Sequence, residues 1–152
     1  AGAAMDDLRS RDLDFWLKNT SKPVLGICLG MQLLYDSSEE GDCGTLGLIP
    51  GRLKKFDSTQ AKVPHMGWNK FKVESKHPLI SGIDNQKFLY YVHGYYAPAN
   101  DHTLASCHYI NDFAAVVAKD NFMGVQFHPE KSGQVGSLLL QNFLDLVAKE
   151  YA

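Results

Sequence analysis

The residues best suited to chemistry centre on Cys28, which ends one apolar segment and precedes another. Gly26 and Gly30 lie two residues to either side, and Gly-x-Cys-x-Gly at a strand-to-helix turn is the thiol form of the nucleophile elbow. Glycine has no Cβ, so neighbouring backbone can approach closely. A helix beginning here would direct N–H groups at the sulfur and favour the nucleophilic thiolate. The segment predicts a nucleophilic cysteine; the alternative is a buried structural cysteine.

His128 and Glu130 near the C-terminus supply the other parts of a catalytic site. An alternating apolar strand leads into His128, and Pro129 stops that strand. A cysteine nucleophile needs a base, and the base needs a group that orients it. We therefore predict that Cys28, His128 and Glu130 form a catalytic triad for acyl transfer.

Two further segments narrow the class, VPHMGWN at 63–69 and YYVHGYY at 90–96. Together with GICLGMQ at 26–32 and FHPEKS at 127–132, they resemble class I glutamine amidotransferases. Among these, the chain is most similar to the glutaminase subunit of imidazole glycerol phosphate synthase, over nearly all of residues 2–150. It departs at Gly94, where many relatives are expected to carry Ser or Thr.

The resemblance implies an α/β fold, namely a three-layer α/β/α sandwich with an added antiparallel section. Family members carry a strand, a helix, a strand and a Gly-rich oxyanion loop before the position that matches Gly2. Residues 1–152 are therefore expected to form a single glutaminase domain that is incomplete at its N-terminus. We expect sheet positions beside the Cys28 strand to be unfilled, and an isolated monomer to be unstable and poorly active, because unpaired buried backbone groups are costly.

The resemblance also assigns roles around the triad. Cys28 would form a γ-glutamyl thioester, and the backbone N–H of Leu29 would be one oxyanion donor. The residues implied as substrate contacts are Gly30, Gln32, His93, Gly94 and Tyr95. The residues implied to face a partner protein are Trp68, Asn69, Tyr90 and Lys131. Ammonia would pass through a tunnel into a (β/α)₈ cyclase that makes imidazole glycerol phosphate and an aminoimidazole carboxamide ribotide in histidine biosynthesis.

Three other interpretations stay open at this point. The chain could be the glutaminase of another class I amidotransferase, serving nucleotide or sugar amination. It could be a cysteine hydrolase of the same fold that acts on γ-glutamyl peptides without a partner. It could also be a catalytically inactive partner, an interpretation that the intact triad disfavours.

Composition excludes several classes. A net charge of −2 gives no electrostatic basis for nucleic-acid binding, and no apolar run is long enough to cross a membrane. Cys28, Cys43 and Cys107 are odd in number and far apart, which favours a reducing cytoplasmic compartment over a disulfide framework. The six histidines lack the spacing of a metal site, so no metal or other cofactor is expected.

Periodicity and turn residues give a coarse order of elements. Helices are predicted at 3–19, at 29–35 and from Ser132 onward, and a polar loop at 37–44. Strands are predicted at 23–27, 52–56, 69–74, 86–92, 103–109, 113–119 and 122–127, with turns at 111–112 and 120–121. This order predicts a layered α/β sheet with an antiparallel section.

Overall fold

The computed structural model describes residues 1–150 of the chain. Its helices are α1 (Gly2–Ser10), α2 (Leu13–Asn19), α3 (Leu29–Gln32) and α4 (Gly133–Glu150), with 3₁₀ turns at Pro78–Ile80 and Pro129–Lys131. Its strands are β1 (Val24–Ile27), β2 (Ser37–Ser38), β3 (Cys43–Gly44), β4 (Arg52–Lys55), β5 (His65–Asn69), β6 (Lys72–Val73), β7 (Leu89–His93), β8 (Tyr95–Tyr96), β9 (Thr103–Tyr109), β10 (Asn111–Lys119) and β11 (Phe122–Val125).

The main sheet has the strand order β1-β11-β10-β9-β6. β1 runs parallel to β11, with Gly26 opposite Gly124 and Ile27 opposite Val125, whereas the other neighbours are antiparallel. This arrangement confirms the predicted α/β sheet with an antiparallel section. Within it, the parallel pair brings the carboxyl ends of β1 and β11 to the same edge.

Two hydrophobic cores lie on the two faces of this sheet. One includes Leu139 and Leu146 of α4 and packs against Val116 of β10. The other includes Met5 of α1 and Met31 of α3, together with Val117. Helices on both faces of one sheet give the three layers that the resemblance implies.

Two smaller sheets complete the part of the fold that positions the site. One has the order β3-β2-β4-β8, and the other pairs β5 with β7 in antiparallel register. In the β5–β7 pair, successive side chains point to opposite faces. His65, Tyr91 and His93 therefore point into the core, while Trp68 lies exposed. The pair therefore has one buried face and one solvent face.

The predicted helix at 3–19 is wrong, because the chain breaks it into α1 and α2. Asp12 adopts a left-handed conformation, with φ of 55°, between them. The two helices also differ in burial: Met5 of α1 is buried, whereas Trp16 and Phe15 of α2 are 49% and 69% exposed. The helix after Cys28 is shorter than the predicted 29–35 and ends at Gln32.

Strand boundaries were predicted best where tight turns bound the strands. The range 103–109 is confirmed, and Asp120 has a positive φ at the turn between β10 and β11. The predicted strand 69–74 is wrong, since β5 precedes it and β6 covers only part of it. Asn111 lies within β10 opposite Tyr109, and Ile110, with φ of 62°, makes that turn instead.

The predicted polar loop at 37–44 is only partly confirmed, because it includes the short hairpin of β2 and β3. Arg52 and Leu53 of β4 pair with β2 and extend that hairpin. Pairing from a distant strand explains why local polarity alone gave no strand there.

Among residues 1–150, only β11 pairs with β1, which therefore lies at the sheet edge. The N–H groups of Val24 and Cys28 point to β11 and donate to Asn121 and Val125 at 2.9 and 2.8 Å. Because successive backbone N–H groups point to opposite sides of a strand, those of Leu25 and Ile27 point away from β11, to the open side. Such an edge is a template for further pairing. The incompleteness of the domain and the instability of an isolated chain stay predictions.

Candidate active site

The turn after β1 holds Cys28 in an uncommon conformation, with φ of 54° and ψ of −108°. Strain of this kind persists where the surroundings enforce it. A Cβ on Gly26 would lie 2.6 Å from the backbone carbon and oxygen of Gly30, so Gly26 allows the tight approach of strand and helix. A Cβ on Gly30 would meet nothing within 4 Å. The two glycines of the motif therefore differ: Gly26 permits the turn, and Gly30 borders open space.

The parallel pairing places the base just past the end of the strand that neighbours β1. Cys28 N–H donates to Val125 at 2.8 Å, and His128 follows three residues later. His128 N–H is fixed by the carbonyl of Tyr90 at 2.9 Å. Its Nδ1 lies 2.6 Å from Oε1 of Glu130, so an Nδ1–H donates to that carboxylate and leaves Nε2 to accept a proton. The three predicted catalytic residues thus share one edge of the sheet.

Helix α4 supports the turn that carries His128 and Glu130. An ideal Cβ on Gly136 would lie only 1.9 Å from the carbonyl oxygen of Pro129. The backbone of α4 therefore contacts this turn with no room for a side chain. Ser132 strengthens the arrangement, because its hydroxyl donates to the His128 carbonyl at 2.6 Å.

A cleft of about 200 Å³ opens beside the sulfur. Its lining includes most of the predicted substrate contacts, and two residues that the prediction omitted: Cys28, Leu29, Gln32, Glu40, Val92, His93, Gly94 and Tyr95. Gly30 is the one predicted substrate contact outside this lining. Glu40 was treated as part of a polar loop, and only its neighbouring acidic and glycine residues marked that loop in the sequence. The cleft thus combines a nucleophile, amide and imidazole groups and one carboxylate.

The expectation of a lowered thiol pKa is wrong. Burial raises the pKa of the Cys28 thiol above its ordinary value, whereas the backbone N–H of Leu29 lowers it and the Glu130 charge raises it further. A helix of four residues gives only the local N–H, and desolvation outweighs it. Cys28 therefore rests as a thiol, and its proton must be removed during the reaction.

Gln126 is a site residue that the sequence prediction missed. It is fully buried on the segment between β11 and His128. Its side-chain nitrogen lies 3.8 Å from the Cys28 sulfur, which also lies 3.7 Å from the Val92 carbonyl. Within residues 1–150, these two groups and the Leu29 backbone N–H are the hydrogen-bonding contacts of the Cys28 sulfur, and the imidazole of His128 is not among them.

Two histidines form a second buried cluster behind the cleft. His65 Nδ1 lies 3.0 Å from His93 Nε2, and His93 Nδ1 donates to the Tyr95 carbonyl at 2.8 Å. Tyr109 stacks on His65 with 4.2 Å between ring centroids. Burial lowers the pKa of His65 to about 4 and that of His93 to about 3, so both are neutral near pH 7. His65 stood in a quoted motif, but no local signal assigned it a role.

These imidazoles predict a pH-dependent stability. Their folded pKa values lie below the ordinary 6.5, so the unfolded chain binds more protons between about pH 6.5 and pH 4. The stability is fully present above pH 6.5 and is lost as pH falls. We expect the free energy of unfolding to drop by about 4 kcal/mol between pH 7 and pH 5, or about 2 kcal/mol for each imidazole, measured by urea unfolding.

Substitution separates this effect from general acid sensitivity. His65→Gln should roughly halve the pH dependence of unfolding, because His93 stays buried, whereas His102→Gln, at the turn before β9, should leave it unchanged. An unaltered slope in His65→Gln would show that the buried pair is not its source.

The solvent face of the β5–β7 pair is an exposed apolar patch beside the cleft. This patch, here called the β5–β7 face, consists of Met66, Trp68, Phe88 and Tyr90. Met66, Trp68 and Phe88 are 62, 55 and 50% exposed, and the rings of Trp68 and Tyr90 meet at 5.8 Å. Exposed apolar clusters of this kind mark interaction surfaces.

The other residues expected to face a partner lie differently. Lys131 is exposed in the 3₁₀ turn after His128, and its role at an interface stays a prediction. Asn69 pairs with Leu89 and lies on the opposite side of the sheet from Trp68. Its amide donates to the His108 carbonyl at 3.0 Å and lies 3.4 Å from His65. The structure thus does not bring Asn69 to the β5–β7 face.

Two further findings concern residues 1–150. Within this range no group of three or more metal-ligating side chains is assembled. None of the helices described there has the length and apolarity to cross a membrane. The groups at hand are those of nucleophilic acyl transfer, with a thiol, an imidazole oriented by a carboxylate, and backbone N–H donors.

Comparison with known proteins agrees with this chemistry. Residues 9–146 match the family described as glutamine amidotransferase class I. The imidazole glycerol phosphate synthase subunit HisH of Shewanella sediminis is 49% identical over 151 residues, covering 96% of this chain and 69% of the relative. The HisH subunit of Haemophilus influenzae is 46% identical, covering 97% of this chain and 74% of the relative.

Solved structures share the fold at lower identity. A Thermoplasma acidophilum protein, described as a subunit of GMP synthase, aligns with a TM-score of 0.66 at 22% identity, covering 94% of this chain and 65% of that one. A glutamine amidotransferase from Thermotoga maritima aligns with a TM-score of 0.59 at 16% identity, covering 91% and 54%. At these identities the likeness is one of fold alone, and this chain spans less than two thirds of either structure.

Proposed function

We propose that Cys28, His128 and Glu130 hydrolyse glutamine and supply ammonia to a partner protein. The chain belongs to the class I glutamine amidotransferase family and, within it, to the HisH glutaminase subunits of imidazole glycerol phosphate synthase in histidine biosynthesis. The observation that carries the proposal is the placement of Cys28 and the His128–Glu130 pair at the carboxyl ends of adjacent parallel strands.

The first half of the reaction follows from the groups at the elbow. His128 Nε2 takes the Cys28 proton as the sulfur attacks the side-chain carboxamide carbon of glutamine. The Leu29 N–H donates to the oxyanion that forms. His128 then passes the proton to the departing nitrogen, which leaves as ammonia, and a γ-glutamyl thioester remains on Cys28.

The second half returns the enzyme to its resting state. Water activated by His128 attacks the thioester and releases glutamate and the thiol. Glu130 keeps the imidazole oriented and stabilises its protonated form in both halves. The raised thiol pKa makes this base essential, because little thiolate exists before the substrate binds.

The cleft offers complementary groups for the amino-acid end of glutamine. One oxygen of the Glu40 carboxylate pairs with the amino group of Ala1, and the carboxylate can also accept from the substrate α-ammonium. Gly94 and Tyr95 also line the cleft, beside His93. Gln32 uses its side-chain nitrogen within the protein, so its oxygen is the atom left to accept from substrate. Gly30 borders the open space next to the elbow.

HisH is named as a subunit of a synthase, so a second subunit is implied. We propose that this partner is a (β/α)₈ cyclase that uses the ammonia to form imidazole glycerol phosphate and an aminoimidazole carboxamide ribotide. The β5–β7 face borders the cleft and suits a partner that receives ammonia directly. Three free cysteines fit a reducing cytoplasmic setting.

Partner docking can be tested with two exposed tryptophans. Trp68→Ala should weaken binding of the cyclase by about tenfold or more, because buried aromatic residues anchor interfaces. Trp16→Ala, which removes a similarly exposed ring on α2, should leave binding unchanged. The affinity is measured by titration calorimetry with purified cyclase. Equal effects of the two substitutions would place the interface elsewhere.

Ammonia release from glutamine tests the function itself. We expect a low rate for the glutaminase without its partner and a higher rate with the cyclase and its ligand. Lys131→Ala should reduce this stimulation, because Lys131 follows the catalytic pair directly and its N–H bonds the His128 carbonyl at 3.0 Å. An unstimulated but high rate on γ-glutamyl peptides would favour the partner-free hydrolase instead.

A further inference from the structure

Gln126 directs a buried amide at the nucleophile. Its side chain has no exposed surface, and its own backbone N–H donates to the Ala115 carbonyl at 2.9 Å. Its Oε1 accepts from Gln32 Nε2 at 3.0 Å, and its Nε2 lies 3.8 Å from the Cys28 sulfur. Every polar atom of this side chain is therefore engaged, and one N–H points to sulfur.

The Tyr95 carbonyl determines which end of the Gln126 side-chain amide faces the sulfur. The carbonyl of Tyr95 can only accept, so the Gln32 amide must present its nitrogen there, at 3.1 Å. The same Gln32 nitrogen also donates to Gln126, which must therefore accept with its side-chain oxygen. Gln126 is then left with its nitrogen toward Cys28. A reversed amide would place two donors or two acceptors in contact.

Some groups around the Cys28 sulfur disfavour its thiolate form and others favour it. Glu130 and Glu40 place negative charge toward it, and burial disfavours its charged form. His93 lines the same cleft, and His128 follows two residues after Gln126. Against these, the Leu29 and Gln126 N–H groups are the donors that favour a thiolate. Leu29 must also serve the oxyanion, whereas Gln126 is held on sulfur throughout.

We propose that Gln126 is a further catalytic residue, whose side-chain N–H donates to the Cys28 sulfur and stabilises it as a thiolate. The inference deepens the proposed function and rests on it for its catalytic meaning. The donated hydrogen bond acts twice, when His128 withdraws the thiol proton and when the thioester expels the sulfur. Hydrogen bonds connect Gln32 to Gln126 and Gln126 to the Cys28 sulfur. Because Gln32 lines the substrate cleft, these bonds link the substrate-binding side chain to the thiolate.

Alkylation of the natural full-length protein by iodoacetamide tests this without glutamine. The rate at Cys28 is followed by mass spectrometry across pH 6 to 10 in wild type, Gln126→Met and Gln126→Glu. Met keeps the length and burial of the side chain without a donor, and Glu replaces the donor with a charge. We expect Cys28 to react about three- to tenfold more slowly at pH 7 in Gln126→Met, and more slowly still in Gln126→Glu.

Controls separate donation from misfolding. Cys43 in the same molecules is an internal reference whose rate should not change, and Gln134→Glu adds the same charge on the exposed start of α4. Gln32→Glu removes the donor that sets the Gln126 amide and should slow Cys28 in the same direction. A Gln126→Met protein with unchanged thermal unfolding and an unchanged Cys28 profile would overturn the proposal.

The glutaminase assay adds a separate readout. Gln126→Met should lower kcat and leave KM nearly unchanged, because the amide contacts the sulfur rather than the cleft lining. If Gln126→Met slows alkylation of Cys28 but the wild-type protein does not hydrolyse glutamine, donation by Gln126 is supported and the proposed function is rejected. Normal hydrolysis with an unchanged alkylation profile would support the proposed function and reject the role of Gln126.

Discussion

Replacing Cys28 by serine is expected to reduce glutamine hydrolysis at least about 10³-fold. Serine keeps the size of the side chain, but its hydroxyl is a far weaker nucleophile than a thiol. The elbow and the His128–Glu130 pair should stay in place, because neither depends on sulfur. Steady-state ammonia release measures the loss, and the cyclase in the complex should keep its activity with added ammonium.

The other cysteines are matched controls for this substitution. Cys107 is buried within β9, and burial raises its thiol pKa to about 12, so it is unreactive. Cys43 lies in β3, and its sulfur bonds the Glu40 carbonyl at 3.6 Å. Cys43→Ser and Cys107→Ser should each retain most of the turnover. Loss of activity in Cys43→Ser together with retention in Cys28→Ser would remove Cys28 as the nucleophile.

Gly136→Ala is expected to cost about 3 kcal/mol of stability and to lower kcat about 10²-fold. The new Cβ would lie 1.9 Å from the Pro129 carbonyl, which is backbone and cannot rotate away. Either α4 shifts or the turn carrying His128 and Glu130 does. Because Cys28 is on a different strand, a shift of this turn changes its distance from the base.

The neighbouring helix position provides the comparison. Ser137 is exposed on α4, and Ser137→Ala should raise helix propensity slightly and leave turnover unchanged. Urea unfolding gives the stability of both variants, and ammonia release gives kcat. Wild-type stability and turnover in Gly136→Ala would show that the contact with Pro129 is not needed to position the pair.

The sequence predicted the parts of the site that lie in local motifs. Cys28 follows an apolar strand directly, and His128 and Glu130 are two residues apart, so turn chemistry and spacing were enough to identify them. Their meeting follows from one long-range fact, the parallel pairing of β1 with β11. The sequence did not predict that pairing, because residue spacing alone does not specify which strands are neighbours.

Other features depend on contacts between distant parts of the chain. Gln126 meets Gln32 and Cys28 across almost 100 positions, with separations of 94 and 98 residues. Its own segment shows only a polar residue between Val125 and Phe127, which is typical of an alternating strand. The His65–His93 pair is similar, because antiparallel register brings the two rings together. No local pattern distinguishes these buried polar groups from exposed ones.

Two errors have local physical causes. The helical pattern of 3–19 continued past Asp12, but Asp tolerates the left-handed conformation that divides α1 from α2. The thiol pKa was predicted from the helix end, whereas burial of Cys28 is the larger influence. Both show tertiary context outweighing a rule derived from neighbouring residues.

The central claim is that Cys28 is the residue to which glutamine becomes bonded. The direct measurement is to react the full-length protein with a glutamine-derived electrophile and to locate the label by peptide mass spectrometry. The structure predicts rapid labelling at Cys28 alone, slowed by excess glutamine and abolished in Cys28→Ser. Labelling at Cys43 or Cys107, or labelling of Cys28 that glutamine does not slow, would contradict the account.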